Sequence, residues 1–147
     1  MPTARHLLLL AALTLALPVA HAIDFRSVSK ASILYDTPSS QGKRLFIIAA
    51  NTPVELISVS DQWAKVRDAG GAITWIEATA LSNRRTVLVS SDRASVRQSP
   101  EPGATPVLEV VRDVVLELRG TPANGWVQVA HRDGVTGHIR ITDVWGL

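Results

Sequence analysis

Short stretches that alternate apolar and polar residues, separated by turn-forming residues, recur along the chain after residue 22. Residues 54–56 read VEL and residues 116–118 read LEL, the period-two pattern of a strand with one buried face. Residues 63–67 (WAKVR) and 126–130 (WVQVA) alternate in the same way. No window in this part of the sequence carries a convincing helical stripe. The pattern therefore predicts an all-β chain of short strands, typical of a small barrel or sandwich.

The pattern is written twice. Residues 62–76 (QWAKVRDAGGAITWI) align with residues 125–139 (GWVQVAHRDGVTGHI) at an offset of 63. The matching positions include the pairs Trp63 and Trp126, Val66 and Val129, and Gly71 and Gly134. Each glycine falls between two predicted strands, where its tolerance of positive φ suits a tight hairpin. Two copies of one small fold, with the paired valines as equivalent core positions, explain the match.

The upstream halves of the two copies align with small gaps. Residues 31–33 (ASI) match residues 94–96 (ASV) at an offset of 63, which makes Gln98 the expected counterpart of Tyr35. From Pro38 onward the offset falls to 62, and it returns to 63 just before the tryptophan. These one-residue gaps lie in predicted turns, where related domains tolerate insertions.

The order of these features resembles the bacterial SH3 domain: an Ala-Ser-apolar start, a turn, an alternating strand, Trp-x-x-Val, a glycine turn and a final apolar strand. The resemblance covers nearly all of residues 23–147. It implies two SH3-like barrels of five to six strands in tandem, used as targeting or binding modules, often for cell-wall peptide. The last hairpin of this family usually carries a Gly-Trp pair. The first copy keeps Trp75, preceded by Thr74, and the second keeps Gly137, followed by His138.

The N-terminus has the pattern of a secretory signal peptide. Arg5 and His6 precede an apolar run at residues 7–17, which is too short to span a bilayer, and Ala20-His21-Ala22 forms a small-residue exit. A hydrophobic anchor or a buried helix is the alternative. We expect cleavage after Ala22, and a periplasmic or secreted protein without a membrane anchor. The expected units are a signal peptide at 1–22, a first domain at 23–84 and a second domain at 85–147.

Composition narrows the possible partners. The chain has 15 basic and 13 acidic residues, a net charge of +2, which gives little attraction to nucleic acid or anionic membrane. The basic residues near the expected domain boundary, Arg84, Arg85 and Arg93, are interrupted by Asp92, and residues 76–125 contain no aromatic side chain. Cysteine is absent, so no disulfide stabilises the fold. Since burial alone is marginal for a domain of about 60 residues, two docked domains should be the more stable arrangement.

The sequence predicts neither catalysis nor metal binding. It has no cysteine nucleophile and no G-x-S-x-G motif, so a Ser-His-Asp site assembled from distant residues is the remaining catalytic alternative. His131, Asp133 and His138 flank one predicted hairpin turn, at a spacing that matches no common zinc site. We interpret these three residues as exposed hairpin groups, and we expect no cofactor.

The aromatic residues are the best candidates for a binding site. Trp63 and Trp126 each follow a turn and are expected to close one end of their barrels, with ligand stacking as the alternative. Trp75 should face outward, because Ile76 faces the core. It is either a platform for a ligand or part of the seam between the domains. Tyr35 adds a second aromatic to the first copy.

The sequence predicts a non-catalytic binding module whose ligand lies in the first domain. The expected site is the cleft between residues 35–41 and the hairpin that carries Trp75, with Tyr35 as its second aromatic. The expected partner is a short peptide such as a peptidoglycan stem peptide. The alternative is an adaptor that docks on another envelope protein through a strand edge. Trp145 is expected to pack the C-terminal tail onto a barrel, or else to anchor a partner.

Overall fold

The computed structural model of the protein describes residues 21–147. The predicted signal peptide falls almost entirely on residues 1–20, so that prediction lies outside the described residues. Among residues 21–147, no helix is long and apolar enough to cross a membrane.

Residues 24–82 form one antiparallel sheet with the spatial order β3-β2-β6-β5-β4-β1-β7. A short 3₁₀ helix at Ala78–Ala80 precedes the last strand. The strands are β1 (Asp24–Val28), β2 (Ser32–Tyr35), β3 (Arg44–Ile48), β4 (Pro53–Ser60), β5 (Trp63–Arg67), β6 (Ile73–Glu77) and β7 (Leu81–Ser82).

Residues 86–145 repeat this topology in a second antiparallel sheet, with the order β10-β9-β13-β12-β11-β8-β14 and a 3₁₀ helix at Ile141–Asp143. Its strands are β8 (Thr86–Val89), β9 (Arg93–Arg97), β10 (Pro106–Val111), β11 (Val115–Leu118), β12 (Trp126–Ala130), β13 (Thr136–Arg140) and β14 (Val144–Trp145). The predicted all-β tandem of two small barrels is confirmed, with seven strands in each sheet instead of the expected five to six.

Each sheet wraps its own apolar core. Val66 and Ile76 lie in the first core, and their repeat partners Val129 and Ile139 are buried in the second. The turn residues also behave alike in the two copies. Gly71 and Gly134 have φ values of 90° and 95°, the left-handed conformation that a side chain would strain. The cores and turns therefore follow the sequence repeat.

The register of the two copies differs from the sequence alignment in one strand. Tyr35 pairs with Trp75, whereas the residue paired with His138 in the second sheet is Arg97. The counterpart of Tyr35 is therefore Arg97, and the expected match with Gln98 is wrong by one residue. The cause is burial. Leu34 and Val96 occupy the same core position, and a one-residue slip would turn every side chain of the strand to the wrong face.

The two domains touch along a seam that includes the C-terminal tail. The ring of Trp145 meets Phe25 of β1 edge to face, with centroids 5.0 Å apart. The guanidinium of Arg85 lies 5.6 Å from the Phe25 ring and donates a hydrogen bond to the Gly146 carbonyl oxygen at 2.8 Å. The hydroxyl of Thr86 donates to the carbonyl oxygen of Asn51 at 2.7 Å. Trp145 thus packs the tail of the second domain against the first.

Candidate ligand-binding groove

Three aromatic residues are neighbours in the first sheet. Tyr35, at the end of β2, lies beside Trp75 of β6 in the sheet. Its ring also contacts Trp63 of β5 edge to face, at a centroid separation of 5.3 Å and an interplanar angle of 87°. Residues 63, 65 and 75 share one face of the sheet because strand side chains alternate, while Ala64 and Val66 point into the core. The predicted pair is thus brought together with a third aromatic, Trp63.

An open cavity of about 650 Å³ lies over Trp63. It is bounded by the loop between β2 and β3, by the turn between β4 and β5, and by the start of the 3₁₀ helix. Its lining residues are Pro38, Ser39, Ser40, Asp61, Gln62, Trp63, Glu77, Ala78 and Thr79. A second cavity of about 390 Å³, lined by Tyr35 and Ile33 among others, also reaches Glu77. We call these two adjoining cavities the aromatic groove.

The two residues predicted for the site have different positions in this groove. Tyr35 lines it, yet only 7% of the residue is exposed, so its ring forms part of the floor. Trp75 lies outside the lining of both cavities, and the ammonium of Lys65 sits 5.7 Å from the centre of its ring. The cross-strand neighbours of Trp75 belong to its own sheet, whereas the seam contacts run through Phe25 and Trp145.

Sequence reasoning favoured Trp63 at the end of the barrel, with ligand stacking as the alternative, and did not include it in the expected site. No local signal could have identified it, because turns with positive φ precede both tryptophans: Asp61 has a φ of 54° and Asn124 a φ of 52°. Trp63 both packs on Tyr35 and lines the groove.

The loop that forms one wall of the groove is held in shape by its own hydrogen bonds. The Asp36 carboxylate accepts a bond from the Lys43 backbone N–H at 2.8 Å, and the Gly42 N–H donates to the Ser39 carbonyl oxygen at 3.0 Å. A Cβ on Gly42 would press against the Thr37 hydroxyl oxygen and the Ser39 carbonyl oxygen, so glycine suits the tight closure of this loop. The wall is therefore preorganised, which lowers the entropy cost of binding.

The corresponding surface of the second domain is built differently. The guanidinium of Arg140 lies 4.9 Å from the centre of the Trp126 ring, and Trp126 is only 7% exposed. Arg140 is opposite Trp126 in the sheet, as Glu77 is opposite Trp63. A carboxylate is not attracted to the negative face of an aromatic ring, whereas a guanidinium is. Trp126 thus lies under a guanidinium and lines a cavity of about 260 Å³, whereas Trp63 lines a cavity of about 650 Å³.

The histidines of the second domain stay at its hairpin. His131 Nδ1 and the Asp133 carboxylate are 2.9 Å apart across the turn. The Val135 backbone N–H bond to that carboxylate, followed by its bond with His131, lowers the pKa of Asp133 below its ordinary value. His138 Nδ1 is buried without a hydrogen-bond partner, beside a cavity of about 260 Å³. No group of three His, Cys, Asp or Glu residues within 21–147 is placed to hold a metal ion.

Comparison with known families gives a match over most of the chain. The family model described as "Bacterial SH3 domain" matches residues 28–83 and again residues 90–146. The second match includes His131 and His138, and the first includes the whole aromatic groove. A comparison with curated protein sequences gives no significant match.

Several solved structures are similar over part of their length. NlpC2 from Trichomonas vaginalis is 13% identical with a TM-score of 0.39, over 84% of this chain and 48% of that one. NlpC1 from the same organism is 15% identical with a TM-score of 0.38, over 92% and 50%. An NlpC/P60 family protein from Bacillus cereus is 16% identical with a TM-score of 0.40, over 83% and 56%. The chain spans about half the length of each of these proteins.

Proposed function

The chain belongs to the bacterial SH3 domain family, and we propose that it is an exported, non-catalytic binding module that holds a short peptide in the aromatic groove of its first domain. The observation that carries the proposal is the contrast between the two tryptophans. Trp63 lines a cavity of about 650 Å³, whereas Trp126 is 7% exposed, lies under Arg140 and lines a cavity of about 260 Å³. Because of this difference we place one site per chain, in the first domain.

The chemistry of the groove favours an extended peptide with a free amine. The Trp63 ring offers a flat apolar surface, and Pro38 with two serines offers a narrow polar wall. Asp61 and Glu77 line the same cavity and add negative charge. A cell-wall stem peptide has small side chains, an extended backbone and amino groups, and it is therefore the ligand class we propose.

The best test of this site copies the second domain into the first. Glu77→Arg should place a guanidinium over the Trp63 ring and remove one carboxylate from the groove. We expect it to weaken binding of a purified stem peptide at least tenfold, about 1.4 kcal/mol, in isothermal titration calorimetry. Glu101→Arg is the matched control, because it makes the same charge change at an exposed position of the second domain. Equal affinities for the two variants would refute the site.

Export is the second part of the proposal, supported by the charged start, the apolar run and the Ala-x-Ala exit that precede the first domain. Mass spectrometry of the envelope fraction should find a mature chain that begins at Ile23. Recovery of the chain from the cytoplasm with Met1 intact would contradict it.

A further inference from the structure

The most exposed large apolar side chain among the described residues lies on a free strand edge. Strand β3 pairs with β2 on one side and ends the first sheet on the other. On it, Ile47 is 78% exposed and Phe46 is 60% exposed. An unpaired edge with exposed apolar side chains is a template for adding another strand. The edge of the first domain therefore has the properties of a contact surface.

The second domain protects the same edge. Its edge strand β10 begins at Pro106, which cannot donate a ladder hydrogen bond, and it carries Glu109 at the position of Ile47. The Ser95 hydroxyl donates to that carboxylate at 2.6 Å, whereas the first domain pairs Ile33 with Ile47 at this place. Proline and charged side chains are usual means by which an edge is kept from pairing. Strand β10 has a proline at its start and an exposed carboxylate within it, whereas β3 has no proline and carries charge only at its first residue.

We propose that two copies of this chain associate through their β3 edges as an antiparallel two-fold pair centred on Phe46. This register pairs all five residues of β3: Phe46 lies opposite Phe46 of the second copy, and Leu45 lies opposite Ile47. Such aromatic and apolar cross-strand pairs are favourable.

Charge decides the direction of the pairing, and the apolar centre of β3, which pairs with itself in this register, favours a second copy as the occupant. Lys43 and Arg44 stand at the start of β3, and its other end leads into uncharged Ala49 and Ala50. Parallel pairing would set the four cations of two copies beside one another. Antiparallel pairing places each pair of cations at opposite ends of the joined strands, against uncharged residues. The β3 edge is thus self-complementary in the antiparallel direction, as a two-fold interface requires.

The size of the contact predicts a weak, reversible dimer. One five-residue strand with two large apolar side chains covers less than the roughly 800 Å² per partner of a stable interface. We therefore expect a dissociation constant on the order of 10–100 μM. Because Ile47 also lines the smaller cavity of the aromatic groove, the dimer would hold two grooves close together and raise the avidity for a repeated polymer. This last consequence rests on the proposed function, but the dimer itself does not.

Sedimentation equilibrium of the purified protein, at concentrations from about 1 to about 500 μM, tests the proposal directly. Ile47→Glu copies the protecting residue of the second domain and should weaken the dimer at least tenfold. Val59→Glu is the matched control, because Val59 is an exposed apolar residue on another strand of the same domain. The control should dimerise like the original protein. A monomer at all concentrations would overturn the proposal, as would equal weakening by both variants.

A single-cysteine experiment identifies the interface independently of stability. The chain has no cysteine, so Phe46→Cys introduces a unique thiol at the two-fold axis. Under mild oxidation it should form a disulfide-linked dimer much faster than Val59→Cys. Equal rates would show that the copies do not meet at β3, and would refute the β3 pairing.

Discussion

The two domains have the same strand order, equivalent core valines and equivalent turn glycines, yet their outer surfaces have diverged at matched positions. Tyr35 is replaced by Arg97, Glu77 is opposite one tryptophan and Arg140 is opposite the other. The core is constrained by packing, so both copies keep it. The residues opposite the tryptophans, Glu77 and Arg140, are exposed and free of that constraint, and the cavity beside the tryptophan is larger in the first domain than in the second. The two copies therefore share one fold but differ in the surface around the tryptophan.

The largest expected effect is loss of one core at a time. Val66→Asp and Val129→Asp each bury a carboxylate that has no partner, which should cost about 3–5 kcal/mol. Because the domains have separate cores, urea unfolding followed by NMR should show that each variant loses chiefly its own domain. A harmless Val129→Asp beside a severe Val66→Asp would contradict the equivalence of the two copies.

The seam should be weaker than either core. Trp145→Ala removes the edge contact with Phe25 and should destabilise the docking of the domains by about 1–2 kcal/mol. The expected readout is independent tumbling of the two domains in NMR relaxation, with both cores intact. Trp75→Ala is the control, since its sheet neighbours all belong to the first domain. Unchanged joint tumbling of the Trp145 variant would show that the seam depends on other contacts.

Removing the Arg140 guanidinium from the Trp126 ring is expected to have a smaller effect than removing Trp145 from the seam. Arg140→Glu removes a cation–π contact of about 0.5–1 kcal/mol and exposes the Trp126 ring. Acrylamide should then quench the tryptophan fluorescence more strongly, and stem peptide should begin to shift resonances in the second domain. Arg132→Glu, an exposed charge reversal in the same domain, should do neither. The same quenching in both variants would mean that Arg140 does not cover the ring.

The predicted aromatic pair should divide by position in the groove. Tyr35→Ala should weaken peptide binding several-fold to tenfold, about 1 kcal/mol, since Tyr35 lines the groove and supports Trp63. Trp75→Ala should change the affinity by less than about twofold, because Trp75 lies outside the lining of both cavities. Chemical-shift perturbations check both. The site would be excluded if they mapped only to residues 93–147, or if they persisted unchanged in the double mutant.

The smallest expected effect is on the pKa of Asp133, at the hairpin tip of the second domain. Hydrogen bonds hold the pKa of Asp133 below its ordinary value of 3.8, so its ionised form favours the folded state above that pH. This contribution is lost as the pH falls through the lowered pKa. In an NMR titration, His131→Ala should raise the pKa of Asp133 only part of the way, because the Val135 N–H bond remains. Full return to the ordinary value would show that His131 is the main cause.

Much of the fold could be predicted because periodicity and repetition are local signals. Alternation of apolar and polar residues located the strands, and the valine pairs located both cores. The slip at Tyr35 had a physical cause. The identical Ala-Ser pairs favoured an alignment of Tyr35 with Gln98, but burial of Leu34 selected the alignment with Arg97. Burial depends on what the strand packs against.

The candidate site was predicted only in part, because it depends on side chains that are distant in the sequence. Tyr35 was expected in the first domain and it lines the groove, but Trp63 was assigned to the barrel end. Whether a tryptophan is open or covered depends on the residue opposite it in the next strand. That residue is fourteen positions away, and no local pattern identifies it.

By itself the sequence determined the duplicated all-β architecture, the equivalent cores and the turns, because each depends on side-chain period and backbone preference within a short segment. Only the tertiary structure decided which tryptophan remains open, which edge strand stays unprotected and how the tail of one domain meets the other. These features arise where strands from distant segments pack together, so their energies depend on contacts between side chains and not on the pattern along the chain.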